Sequence, residues 1–207
     1  MAATVVPRAP LRRPREQASV VVRKISGLLR DSADRIEDGD VDRAMDTLAD
    51  ARSTDALIAE LRAAADEGLS VLASSPFRWR HRDGVRRMVD LVEPLDFALR
   101  NTRVVARRVA VACYRHEPIP QGYAVFLRDL AGATDALAGE LRANRMAVSM
   151  QEPLIALGRH SSELERTAVL SAEVVLASVR SMIADLLAVS GMDPLEATDQ
   201  IPPIAGG

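Results

Sequence analysis

Apolar residues recur along the chain at the spacing of one helix face, segment after segment. From Pro14 to about Glu37 the stripe is Ala18, Val21 or Val22, Ile25, Leu28 or Leu29, and Ile36, close to the α-helical period. Pro14 suits a first helical turn, where a missing amide removes no hydrogen bond. "EDGD" then stops the helix, with Gly39 suited to a left-handed C-terminal position and Asp40 to capping the next helix. So short a turn predicts an antiparallel hairpin.

A second helix is expected from Val41 to about Ala73, with Met45, Leu48, Leu61 and Ala65 inward and Ser53 and Thr54 as its weakest point. "ASSP" ends it, because the residue before a proline is pushed out of helical geometry. A third runs from about Asp83 to Arg115, with a kink at Pro94 or a break just before it. "EPIPQG" forms the next corner, and a fourth helix spans about Gln121 to Asn144. The last helical stretch starts near Ser149 or Glu152 and reaches Val189, with a break between Ser162 and Ser171. The fold class expected is all-α, an antiparallel bundle of five or six long amphipathic helices. Its organisation is a flexible basic arm over 1–13, the bundle over 14–191 and a C-terminal tail over 192–207, with one turn begun by Asp193 and Pro194.

Composition agrees with helices: aromatics are only 3% of the 207 residues while apolar residues make up 48%, enough to bury a core. No apolar run approaches the roughly 18 residues of a membrane span. In the most apolar segment, "TAVLSAEVVLASVRSMIADLLAVSGM", Glu173, Arg180 and Asp185 fall at intervals expected of a wet helix face. The formal net charge of -2 argues against a surface built for nucleic acid. The single Cys113 cannot form an intrachain disulfide and reads as a small buried hydrophobe in a reducing compartment.

Chemistry-bearing patterns are few. His81, His116 and His160 are widely separated, with no second His or Cys at a metal-binding interval, so neither a metal nor a cofactor is expected. "EDGDVD" clusters carboxylates without the spacing of a calcium loop. His160 beside Ser161 and Ser162 lacks the geometry of a nucleophile and its base. No catalytic residue is assigned, and the chain reads as a non-enzyme. Two basic features remain. "PFRWRHRDGVRR" sets Arg78, Trp79, Arg80 and Arg82 in a connector between long helices. Arg100, Arg103 and Arg107 form a stripe at helical spacing, which either holds an anion or pairs with acids such as Asp96 and Asp129.

"SSPFRWRHRD", "LDFALRNTRVVARR", "EPIPQGYAVFLRDLAGATDALAGELRA" and "VVLASVRSMIADLLAVSG", in this order, resemble the cytosolic helical region of actinobacterial membrane proteins of the fusaric-acid-resistance type, the aromatic acid exporters. The resemblance covers roughly residues 12 to 196. It implies a domain of an exporter of small aromatic or amphipathic acids, at the cytoplasmic face of the membrane, with a structural, oligomerisation or vestibule role. The implied partners are a transmembrane half preceding Met1, a second copy of the chain, and a small aromatic or anionic substrate. The basic arm would then lie just after a membrane span, and the arginine connector would face the membrane surface or that transmembrane half. The competing expectation is a free-standing helical adaptor or regulator. It would use Phe77, Trp79 and the neighbouring arginines to bind nucleic acid or an acidic protein.

Overall fold

The computed structural model describes residues 12–73, 89–143 and 147–204, the side chains of 12, 13 and 71–73 excepted. Among them every regular element is helical. In chain order they are α1 (Arg12–Asp38), α2 (Val41–Arg52), α3 (Asp55–Ala73), α4 (Val92–Arg115), α5 (Gln121–Arg142), a 3-10 turn (Ala147–Met150), α6 (Gln151–His160), α7 (Leu170–Val189) and α8 (Pro194–Asp199).

Local chemistry sets these boundaries. Gly39 takes φ 65, the left-handed value expected of it. Asp40 caps α2, its Oδ1 accepting from the Arg43 amide at 3.0 Å. The single rod expected from Val41 to Ala73 is instead two helices, divided at Ser53 and Thr54. There the Ser53 hydroxyl donates to the Asp50 carbonyl at 2.8 Å and the Thr54 hydroxyl to the Ala51 carbonyl at 2.7 Å. These local bonds occupy carbonyls that would otherwise carry α2 onward. Pro14, Pro94, Pro153 and Pro194 each fall within the first three residues of a helix, the one region where proline breaks no backbone bond. The third expected helix therefore begins anew at Val92, two residues ahead of Pro94.

Packing centres on two helix pairs. α1 lies along α5, α4 lies along α7, and the pairs join where α1 meets α4; α2 and α3 lie against α1 and α4. The α1–α5 seam is lined by small residues: Ala18, Ser19, Ser26 and Ala33 on one side, Ala124, Ala131, Thr134 and Ala138 on the other, all fully buried. The Ser19 hydroxyl donates to the Ala138 carbonyl at 3.0 Å, and the Ser26 hydroxyl donates to the Ala131 carbonyl at 3.1 Å. The two bonds recur at heptad spacing in opposite senses along the helices, which fixes the pair as antiparallel. At the rim, Arg128 bridges Asp34 at 2.7 Å and Glu37 at 2.5 Å, and Arg30 meets Asp135 at 2.5 Å.

The C-terminal tail is docked onto the bundle. Asp193 caps α8, Ala197 is fully buried, and Ile201 and Ile204 pack against the core. A Cβ at Gly158 would lie 2.7 Å from the Ile201 Cδ1, so glycine on α6 leaves the room that the tail's isoleucine fills.

The seam yields the first prediction. Ser26→Ala removes the bond to the Ala131 carbonyl and the one Arg30 Nη1 donates to the hydroxyl, and is expected to cost about 1 to 2 kcal/mol. Ser26→Leu, which must also force the helices apart, is expected to cost a further 1 to 3 kcal/mol, roughly. Urea denaturation followed by circular dichroism checks both values and their order.

Candidate functional site

The basic stripe on α4 is largely engaged by acids. Arg100 donates twice to Asp96, through Nε at 3.2 Å and Nη2 at 2.9 Å, and its guanidinium sits 6.0 Å from the Phe97 ring centre. Arg62 of α3 reaches the same carboxylate at 2.8 Å. Arg103 pairs with Asp55 at the start of α3. Asp96 and Asp55 thus hold α3 to α4. Asp129, on α5, takes no part. Only Arg107 of the three stands exposed with no ion pair or hydrogen bond among the described residues. The stripe does not converge on a common point where an anion would sit. Arg78, Trp79, Arg80 and Arg82 lie outside the described residues.

Cys113 and His116 line a cleft of about 200 Å³ at one end of α4, with Arg35, Ile36, Gly39, Glu117 and neighbouring apolar side chains. Glu117 and His116 amides close the helix end on Ala112 and Cys113 carbonyls, leaving His116 in the left-handed region at φ 53. Arg35 is 11% exposed and pairs with Asp38 at 2.9 Å, while its Nε is buried without a hydrogen-bond partner. Cys113 donates to the Arg35 carbonyl at 3.4 Å, and burial pushes its thiol pKa up. A thiol held protonated is a poor nucleophile. With Asp38 and Glu117 beside Arg35, an anion entering here gains little.

The Ser and His neighbours at the end of α6 do not form a reacting pair. His160 packs edge-on against Phe126, with ring centres 5.5 Å apart. The Ser161 and Ser162 hydroxyls accept from Arg180 Nη1 at 2.6 and 3.0 Å, and Arg180 Nη2 donates to the Pro202 carbonyl. Arg180 is therefore partly desolvated against neutral oxygens, which lowers its pKa. It fastens the tail. Among the described residues no three His, Cys, Asp or Glu gather as metal ligands.

The three charges of α7, expected on one wet face, are placed in three different ways. Glu173 meets Arg166 at 2.5 Å, Arg180 lies under the tail, and Asp185 turns toward α4. What remains outward on α7 is a heptad-spaced stripe: Leu170, Val174, Ala177, Ser181, Ala184 and Ala188, all exposed or half-buried and none charged. Beside it on α4 stand Phe97, Val104 and Val111, the first two 44% and 38% exposed. Together they make one outward face, mostly apolar, spanning both helices.

Two charges lie in the groove of this face without a counter-ion. The Asp185 carboxylate accepts one hydrogen bond, from Asn101 Nδ2 at 2.9 Å, and burial pushes its pKa up to about 6. Arg108, half-buried and at heptad spacing from Asn101, has no partner among the described residues. Sequence spacing puts Asp185 on a wet face of α7 together with Glu173 and Arg180, and so misses it. The charge-free spacing from Leu170 to Ala188 was the available signal.

The chain matches no family model and no solved structure. It is 29% identical over 195 residues to an uncharacterized protein of Corynebacterium glutamicum, a match covering 91% of this chain and 50% of that protein. The chain thus spans about half the length of the curated relative it matches.

Asp185 gives a pH dependence with a definite sign. Its proton is held more tightly in the folded chain, with a pKa of about 6, than at the ordinary aspartate value of 3.8. Stability from this group therefore falls as pH rises through that window and is lowest above it. In dilute solution at pH 7, Asp185→Asn is expected to raise stability by about 1 kcal/mol, a figure reduced for partial solvent screening. Urea unfolding of both chains at pH 5 and pH 7 checks this, with the gain shrinking at the lower pH.

Proposed function

We propose that this chain is a non-catalytic helical domain of a membrane exporter of small aromatic or amphipathic acids, acting at the cytoplasmic face as an assembly module. The observation that carries the reading is the α4–α7 face. Arg62 and Arg100 are held by Asp96 and Arg103 by Asp55 along one flank of α4, while the face beside it exposes Phe97, Val104 and Leu170. Large exposed side chains on a continuous face mark an interaction surface rather than ordinary solvent-facing surface.

Two further facts support the exporter context. The order of the four segments quoted above resembles the cytosolic region of that family. The C. glutamicum relative carries as much chain again beyond the matched part, room for a transmembrane half. None of the described helices is long and apolar enough to cross a membrane, so translocation would belong to other parts of the polypeptide. This domain would hold those parts in register and border the cytosolic mouth of the path.

An epitope tag at the C-terminus of the native gene product tests the reading. The product is expected in the membrane fraction, resistant to alkaline carbonate, and its deletion is expected to lower the concentration of fusaric or benzoic acid that stops growth. A product released by carbonate, together with unchanged tolerance, overturns it.

A further inference from the structure

The reading as an assembly module does not say what the α4–α7 face assembles with, but the pattern on the face is complementary to itself. Two hydrogen bonds set the level of α4 against α7: Asn101 to Asp185 at 2.9 Å, and Ser171 to Glu117 at 2.6 Å. The helices are antiparallel in this register. Arg108 therefore lies about 10 Å along the groove from Asn101, at 1.5 Å per residue, too far to pair with Asp185 of its own chain.

From this placement we propose that the face binds a second copy of the chain, antiparallel about a two-fold axis crossing α4 at Val104 and α7 at Ser181. Each Asp185 then meets the partner's Arg108. The proposal rests on the reading of this face as an interface.

The geometry follows from the midpoint. Val104 lies about midway between Asn101 and Arg108, so a two-fold there exchanges their levels. The same rotation sets Phe97 over the partner's Val111, Val104 over its own copy and Val174 over the partner's Ala188. Large side chains fall at the ends of the patch and small ones near its centre, where Ala177, Ser181 and Ala184 allow close helix approach. An axis parallel to the helices gives no such match: Asp185 would face the partner's Asn101 and Arg108 would stay unanswered. An isologous contact of this kind closes on itself and gives a dimer rather than a fibre. The carboxylate that burial penalises in the single chain gains a cation in the pair, and the unpartnered guanidinium gains an acid.

Sedimentation velocity and light scattering on the purified chain test the pairing. The wild type is expected at twice the 22.4 kDa chain mass. Arg108→Asp and Asp185→Arg should each raise the dissociation constant at least tenfold, and the double variant R108D/D185R should restore the dimer. Because either charge change could disturb the fold, cysteine cross-linking gives a second readout. Val104→Cys, at the axis, should link two chains under mild oxidation, whereas Val111→Cys alone should not. A wild type that stays monomeric overturns the proposal, as does a folded double variant that stays apart or equal cross-linking at both positions. A monomeric result leaves the membrane location standing, and a soluble native product leaves the dimer standing, so the two readings fail separately.

Discussion

The close approach of α1 to α5 is the constraint on which the bundle depends. Two helices can pack at short distance only if the facing side chains are small, and small side chains bury little apolar area per residue. Here Ser19 and Ser26 offset that loss by donating to carbonyls of the opposite helix. Such bonds reach across only when the backbones are near, so the seam and its hydrogen bonds require each other. A serine buried without a partner is a net loss, and Ser32, 1% exposed with an unpartnered hydroxyl, shows what the seam tolerates at its edge. Once α1 and α5 are locked, the larger residues Ile25 and Leu29 are fully buried in the core.

The ion pairs then decide which surfaces stay closed. Arg128 clamps the α1–α5 rim, Asp96 gathers Arg62 and Arg100, Asp55 takes Arg103, and Glu173 takes Arg166. Each such surface pair contributes little to stability, but each fixes where a long side chain lies and so what it covers. Arg180 works on the same logic with neutral oxygens, drawing the tail over one flank of α7. With that flank covered by α6 and the tail, and the other occupied by α4, the side of α7 left open among the described residues is the stripe from Leu170 to Ala188.

Much of the fold was legible in the chain because helix boundaries here are written in local chemistry. Gly39 and Asp40, the prolines in first turns, and the hydroxyls at Ser53 and Thr54 act within a few residues of themselves, so pattern reading finds them. The division of the second helix was visible as a weak point, while its outcome depended on α2 packing against α4 and α3 against α1. The tail could be read only as far as its first turn, since its docking needs Gly158 and Arg180, both distant in sequence. The candidate face was legible in composition and not in placement. Glu173, Arg180 and Asp185 look alike as charges on one helix, and three different neighbours, none inferable from spacing alone, separate them.

The makeup of the open stripe bears on when it is used. A face of leucines would drive association at any concentration and would expose the single chain to aggregation. Alanine and serine at the centre of α7, with Phe97 and Leu170 toward the ends, keep the unpaired chain tolerable in water while still permitting helices to approach closely. Its groove also holds a carboxylate near 6 in pKa and an arginine, neither of them matched by an opposite charge among the described residues. Charges so placed weaken the isolated domain slightly and reward only a partner arriving in the correct register. In the proposed dimer, selectivity would come from these two unmatched charges and strength from the apolar side chains around them.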